Sequence, residues 1–148
     1  MDPHESTRSH ILQLVVVTPE ATVLDETAEF VALPLFDGEI GIAPLHSPMI
    51  GRLGYGEMRV THGGRVARYY LDGGFVQVVD DVVSVLTGRA LPAGTLDAEV
   101  AVEQLNEARR RPSNTLELMG LRDRAELQAR AQLRVARHAG AAVHSANH

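Results

Sequence analysis

The spacing of apolar and polar positions changes character once along the chain, near residue 91. Before that point the apolar runs are short, often alternating, and separated by turn residues. Residues 11–17 form a Val-rich run stopped by Thr18-Pro19. Residues 27–33 alternate, with Ala28, Phe30 and Ala32 on one side and Val31 and Leu33 on the other. Residues 57–62 set Met58 and Val60 against Glu57, Arg59 and Thr61. In His62-Gly63-Gly64-Arg65 two glycines accept positive φ, which predicts a tight hairpin. Residues 66–71, 75–79 and 82–86 complete the set; Asp80-Asp81 joins the last two, and Gly73-Gly74 marks a bulge or sharp corner. Short strands at this spacing predict an antiparallel β-sandwich or barrel.

Beyond Leu91-Pro92-Ala93-Gly94, Ala, Glu, Gln, Leu and Arg take over. Thr95 is the expected N-cap, with Asp97 and Glu99 complementing the helix dipole in the first turn. Leu96, Val100, Ala101, Leu105 and Ala108 then recur at helical spacing, and Arg109-Arg110-Arg111 and Pro112 end the helix. A second helix is expected from Ser113 or Asn114, with Glu117 at capping-box spacing from Asn114. Leu118, Leu121, Ala125, Ala129 and Leu133 form one stripe, and Leu127, Ala131 and Val135 an adjacent one. The expected organisation is therefore a polar tail over 1–10, a sandwich over 11–90, a linker over 91–94, an antiparallel helical hairpin over 95–139 and a second tail over 140–148. Alanine dominates the hairpin's contact face, and each buried methyl gains only about 0.8 kcal/mol. Gly120 inside the second helix costs about 1 kcal/mol. Such a hairpin must lean on the sandwich or on a partner.

Length and composition, 148 residues with 45% hydrophobic and 22% charged, suit one soluble domain with a small appendage. No apolar run reaches the ~20 residues needed to span a bilayer, and residues 1–10 lack the apolar segment of a secretory signal. The absence of cysteine excludes disulfides, thiolate catalysis and Cys-type zinc sites. A net charge of −5 argues against broad nucleic-acid binding, but the charge is unevenly spread. Residues 1–90 carry −6, while the stretch from Arg109 onward carries +5, all of its cations arginine. His46 and Ser47 with Asp37 could be forced into a triad, yet Ser47 precedes Pro48 and sits on no nucleophile elbow. His138, His144 and His148 lack metal-ligand spacing, and Asp72-Gly73-Gly74-Phe75 is not a phosphate loop. No catalytic residue, metal or cofactor is expected. The residues describe an interaction protein.

Four strings, in order, carry a family resemblance: Val17-Thr18-Pro19-Glu20; the stretch from Gly38-Glu39-Ile40-Gly41 through Pro44-Leu45-His46-Ser47-Pro48; Gly73-Gly74-Phe75-Val76-Gln77-Val78; and Ala131-Gln132-Leu133-Arg134-Val135. Together they resemble the epsilon subunit of the F-type ATP synthase. Leu35, Leu45 and Gln77 depart from the family's usual residues. The resemblance implies about ten strands followed by two helices, an α+β chain that is not catalytic alone. It implies a place on the central stalk, peripheral to the cytoplasmic face of the bacterial inner membrane, without direct bilayer insertion and without nucleic acid. The partners implied are the gamma subunit, the ring of c subunits and, through the hairpin, the alpha and beta subunits. A loop with Glu39, Ile40 and Gly41 would face the c-ring, and His46, Ser47 and Pro48 would lie close to gamma. Arg122, Arg124, Arg130, Arg134 and Arg137 would face acidic segments of the beta subunits, where an extended hairpin blocks ATP hydrolysis. Pattern alone reads the first two groups as a plain hairpin loop and the arginines as a solvated helix face. Some members bind ATP through an (I/L)-D-x-x-R-A string and two later arginines. Here Asp97 is retained, but Val100, Gln128 and Gln132 stand at the cationic positions, so weak or absent ATP binding is expected. Two alternatives are a nucleotide-sensing hairpin and a small β-sandwich enzyme.

Overall fold

The structure is a computed structural model that describes residues 10–146, with side-chain surroundings through residue 140. Eight strands come first: β1 (Leu12–Val17), β2 (Thr22–Ala28), β3 (Phe30–Leu35), β4 (Gly38–Ile42), β5 (Met49–His62), β6 (Arg65–Val79), β7 (Val82–Leu86) and β8 (Ala90–Pro92). A 3-10 turn (Ala93–Thr95) leads to helices α1 (Ala98–Arg109) and α2 (Leu116–Ala146). The strand order is β2-β1-β7-β6-β5-β3-β4, with β8 on the far part of β6. All pairs are antiparallel except β1 and β7, which run parallel from Gln13 beside Val82 to Val17 beside Leu86.

Two long strands make this ladder into a sandwich. The first part of β5 and the last part of β6 lie with β7, β1 and β2; their other parts lie with β3, β4 and β8. Each long strand thus serves both layers, and eight strands supply the ten segments that the resemblance implies. Glycine makes the corner. Gly73 and Gly74 have φ of 72° and 106°, and a Cβ on Gly74 would fall inside the Leu86 carbonyl oxygen. Opposite, a Cβ on Gly54 would lie 2.9 Å from the Leu35 carbonyl oxygen. The predicted hairpin at Gly63-Gly64 is present, with φ of 59° and 77°. Asp80 and Asp81 make the same turn at 50° and 63°.

Between the layers lies one aliphatic core. Leu12, Leu14 and Val16 of β1, Val76 and Val78 of β6, and Val83 and Val85 of β7 meet Val31, Leu33, Met58, Val60 and Leu71 from the other layer. Every one of these comes from a strand, and burying each contributes about 1.5–3 kcal/mol. Met58 and Val60 are buried as their alternation predicts. Residues 27–33 do not form one alternating strand. The ladder breaks at Glu29, whose amide donates to the Thr61 carbonyl at 2.8 Å, and Val31, Ala32 and Leu33 are buried in succession.

The helical boundaries also differ from expectation. Asp97, not Thr95, caps α1 by accepting from the Glu99 amide at 2.8 Å; the Thr95 hydroxyl donates to the Pro92 carbonyl at 2.7 Å. Thr115, rather than Ser113 or Asn114, caps α2 by accepting from the Leu118 amide at 3.1 Å. Residues 91–94 are not a free linker: Leu91 and Pro92 pair with β6 and Ala93 is buried. Residues 140–146 continue α2 rather than forming a tail, and of the expected first tail all but His10 lies outside the described residues. The helices pack through Ala101, Leu105, Ala129 and Leu133. Ala131 and Val135 then seat α2 on Tyr70 and Ala93. Val100, Leu121 and Leu127, expected on contact stripes, are exposed.

Candidate functional site

The layer away from the hairpin presents a bare outer face. Strand alternation sends Val76, Val78, Val83 and Val85 inward and leaves Phe75 and Leu86 outward. Register then aligns Val17, Leu86, Phe75 and Arg52 in one cross-strand row and Val15, Ser84, Gln77 and Ile50 in the next. Ile50 is 77% exposed, Phe75 58% and Leu86 56%. Phe36, at the β3–β4 turn, is 69% exposed and carries the Arg52 guanidinium 4.8 Å above its ring. Contiguous apolar side chains on an open sheet face mark an interaction surface.

Glu39, Ile40 and Gly41 lie in edge strand β4, not in a loop; the turn is Phe36 and Asp37, just before it. They adopt strand because β4 pairs with β3 along its whole length. Glu39 forms an ion pair with Arg59 and holds that guanidinium above its ordinary pKa, chiefly through the hydrogen bond. Ile40 packs on the core, and a Cβ at Gly41 would lie 2.6 Å from the Phe30 ring. His46, Ser47 and Pro48 form an irregular segment, in which the His46 Nδ1–H donates to the Ser47 carbonyl at 2.7 Å. That bond occupies the nitrogen a triad would use, and no hydrogen bond among the described residues joins His46 to Asp37 or to the Ser47 hydroxyl. Leu45, His46 and Pro48 instead border the Asp80-Asp81 turn, and Asp81 accepts from the Leu45 amide at 2.6 Å.

The hairpin is docked on the other layer by a polar cluster that sequence reasoning missed. Tyr70, fully buried, donates to Asp72 at 2.9 Å; Arg89 Nε donates to the same carboxylate at 3.2 Å, and Gln128 of α2 reaches it at 3.1 Å. Burial and then the Asp72 carboxylate push the Tyr70 phenol far above its ordinary pKa. Further along, Glu57 receives Arg68 at 2.8 Å and His138 at 3.1 Å. These partners lie far apart in the chain, and no local motif announces them. Only the glutamine at 128, where the resemblance places an arginine in the members that bind ATP, hinted that the position matters.

The five expected inhibitory arginines divide. Arg122 and Arg130 flank Glu126 at 3.5 and 3.6 Å, as i,i+4 pairs. Arg124, Arg134 and Arg137 have no ion-pair partner among the described residues. Of the positions that the resemblance links to nucleotide binding in some members, Asp97 is committed to capping α1, Val100 is exposed, and Gln132 is buried beside Tyr70. No group of metal-ligating side chains occurs among the described residues. No helix among them is long and apolar enough to cross a membrane.

A β-sandwich carrying a C-terminal helical pair defines a class with known members. Residues 11–93 match the family described as ATP synthase, Delta/Epsilon chain, beta-sandwich domain. The chain is 53% identical over 126 residues to the ATP synthase epsilon chain of Rhodopirellula baltica, covering 85% of this chain and 98% of that one. It is 43% identical over 98 residues to the epsilon chain of Desulfitobacterium hafniense, covering 66% and 74%. A chain in the Euglena gracilis mitochondrial ATP synthase OSCP/F1/c-ring structure superposes with a TM-score of 0.69 at 25% identity, covering 90% of this chain and 81% of that one. A chain of the Tetrahymena thermophila central stalk and c-ring structure shares the fold at 12% identity, with a TM-score of 0.68 over 84% of this chain and 96% of that one. The chain belongs to the epsilon-chain family of ATP synthase.

Proposed function

We propose that this chain is a non-catalytic subunit of the central stalk, joining gamma to the c-ring so that proton-driven rotation reaches the catalytic head. The observation that carries this reading is the bare apolar face around Phe75, Leu86 and Ile50, on a family member whose hairpin already covers the opposite layer. In this reading gamma takes that face together with the neighbouring His46, Ser47 and Pro48, while Glu39, Ile40 and Gly41 at the β4 edge turn toward the c-ring. The packed core suits the role, since close-packed interiors resist deformation. The assembly would sit at the cytoplasmic face of the bacterial inner membrane. Co-purification with the cognate gamma subunit tests the assignment. The full chain should yield a stoichiometric complex, and Phe75→Asp/Leu86→Asp should lose it while keeping the wild-type circular dichroism. An unaffected complex in that variant would place gamma elsewhere.

The hairpin is the regulator in the same reading. Arg124, Arg134 and Arg137 have no ion-pair partner among the described residues, which supports engagement with acidic segments of the beta subunits once α2 leaves the sandwich. Charge reversal by Arg130→Glu/Arg134→Glu should raise ATP hydrolysis in the assembled complex. Hydrolysis equal to wild type would sink the inhibitory role.

A further inference from the structure

The chain contains two Asp-Gly steps, Asp37-Gly38 and Asp72-Gly73, and the fold treats them oppositely. This dipeptide is chemically labile, because glycine has no Cβ to shield its amide nitrogen from the preceding side-chain carboxyl. Asp37 lies with Phe36 in the two-residue turn between β3 and β4, and both Asp37 and Gly38 are exposed. The Asp37 carboxylate has no ion-pair partner among the described residues, and nothing lies within 4 Å of the position a Gly38 Cβ would take. Leu35 and Gly38 form the last pair of the β3–β4 ladder, so fraying of that one pair frees the Gly38 amide without opening the sheet. Asp72 is the reverse. Its carboxylate accepts from Tyr70, Arg89 and Gln128, and its amide donates to the Arg89 carbonyl at 3.1 Å and to the Thr87 hydroxyl oxygen at 3.2 Å. Both Asp72 and Gly73 lie within β6, with Asp72 beside Tyr55 of β5.

We infer that Asp37-Gly38 is a site of spontaneous isomerisation to isoaspartate, which opens the β3–β4 turn, and that the fold protects Asp72-Gly73 from the same reaction. The Gly38 nitrogen attacks Cγ of the protonated Asp37 carboxyl. An N–Cγ bond forms, the Cγ–OH bond breaks, and the hydroxyl leaves as water with the amide proton, closing a succinimide. Water then adds to the Asp37 main-chain carbonyl carbon, and the bond from that carbon to the nitrogen breaks. Isoaspartate keeps every atom of aspartate but puts one more carbon into the main chain. Turn length fixes hairpin register, so the lengthened turn cannot keep the Leu35–Gly38 pair. Phe36 shifts with it, since its amide donates to the Arg52 carbonyl at 2.9 Å and its ring lies under the Arg52 guanidinium. The inference needs only the exposed turn and does not rest on the stalk assignment.

The test incubates the full chain in heavy-oxygen water at physiological temperature and mildly acidic pH, then digests it with trypsin in ordinary water. Each succinimide that hydrolyses takes up one heavy oxygen. Fragment 9–52, which carries Asp37, should gain label at least tenfold faster than fragment 69–89, which carries Asp72. Electron-transfer fragmentation should place that label at residue 37, as isoaspartate. Asp37→Glu, whose longer side chain closes the larger ring slowly, should remove the label while keeping the wild-type melting temperature. In concentrated urea the two fragments should label at similar rates, because the two steps then share one intrinsic chemistry. In the aged protein, amide hydrogen exchange should quicken over residues 35–42 and stay unchanged over residues 82–86. Equal labelling of the two fragments in the folded chain, label in fragment 9–52 that survives Asp37→Glu, or exchange over residues 35–42 indifferent to ageing would each overturn the inference.

Discussion

Leu45 occupies the left-handed region with φ of 67°, which costs a side chain bearing a Cβ about 1–2 kcal/mol. Asp81 fixes the conformation by accepting from its amide, while the Leu45 side chain is 71% exposed and gains little from packing. Leu45 is one of the three positions that depart from the family's usual residues, and its backbone is one that glycine or asparagine adopts more readily. Leu45→Asn should therefore stabilise the isolated protein by about 1 kcal/mol. A thermal melt checks this; a lower melting temperature would show that the leucine is seated in a way its exposure hides. Gly74 is the converse case. There the Leu86 carbonyl leaves no room for any side chain, so glycine was legible as a corner from sequence although its obstructing neighbour was not.

At the scale of elements, α2 is held by a small apolar contact and a polar cluster, and the cluster is sensitive to alkali. The folded state raises the Tyr70 pKa above the unfolded value of about 10. The contribution is thus complete below about pH 10, and stability falls as pH rises further, by up to about 1.4 kcal/mol per pH unit for this group. Tyr69 is also shifted upward, by burial and then Glu26, and adds a loss of the same sign. Tyr70→Phe should cost about 1.5 kcal/mol at neutral pH, by removing a hydrogen bond to a carboxylate. It should also flatten the decline between pH 10 and 11 by about one proton's worth. Denaturant unfolding at both pH values measures the two effects; an unchanged slope would mean that another group governs the alkaline loss. Elements with strong period or turn chemistry were legible beforehand: β1, β7, the Gly63-Gly64 hairpin and both helices. The full length of β5 and β6 was not, because Gly51, Gly54 and Gly56 read as punctuation and the Gly73-Gly74 corner, although foreseen, read as the end of a strand where one ladder in fact runs through. Edge strand β4 was missed for a related reason, since Gly-Glu-Ile-Gly-Ile offers few apolar side chains and owes its conformation to β3. The Tyr70, Asp72 and Gln128 cluster joins positions 56 residues apart, which no local pattern encodes.

Across the whole molecule an acidic sandwich with its own complete core carries a helical hairpin on one of its faces, and only the second helix of that hairpin is basic. The core cluster contains no hairpin residue, so undocking α2 uncovers Tyr70 and its neighbours without opening the space between the layers. That separation lets one part move while the other stays rigid. The parallel pairing of β1 with β7 bears on how such a body comes into being. β1 leaves the ribosome long before β7, one of its two neighbours, so the chain between them must close before this pair can form. Synthesis cannot complete this core piecemeal. Until β7 emerges, β1 has only β2 beside it, and the backbone groups along its other edge stay unpaired for as long as translation takes to arrive.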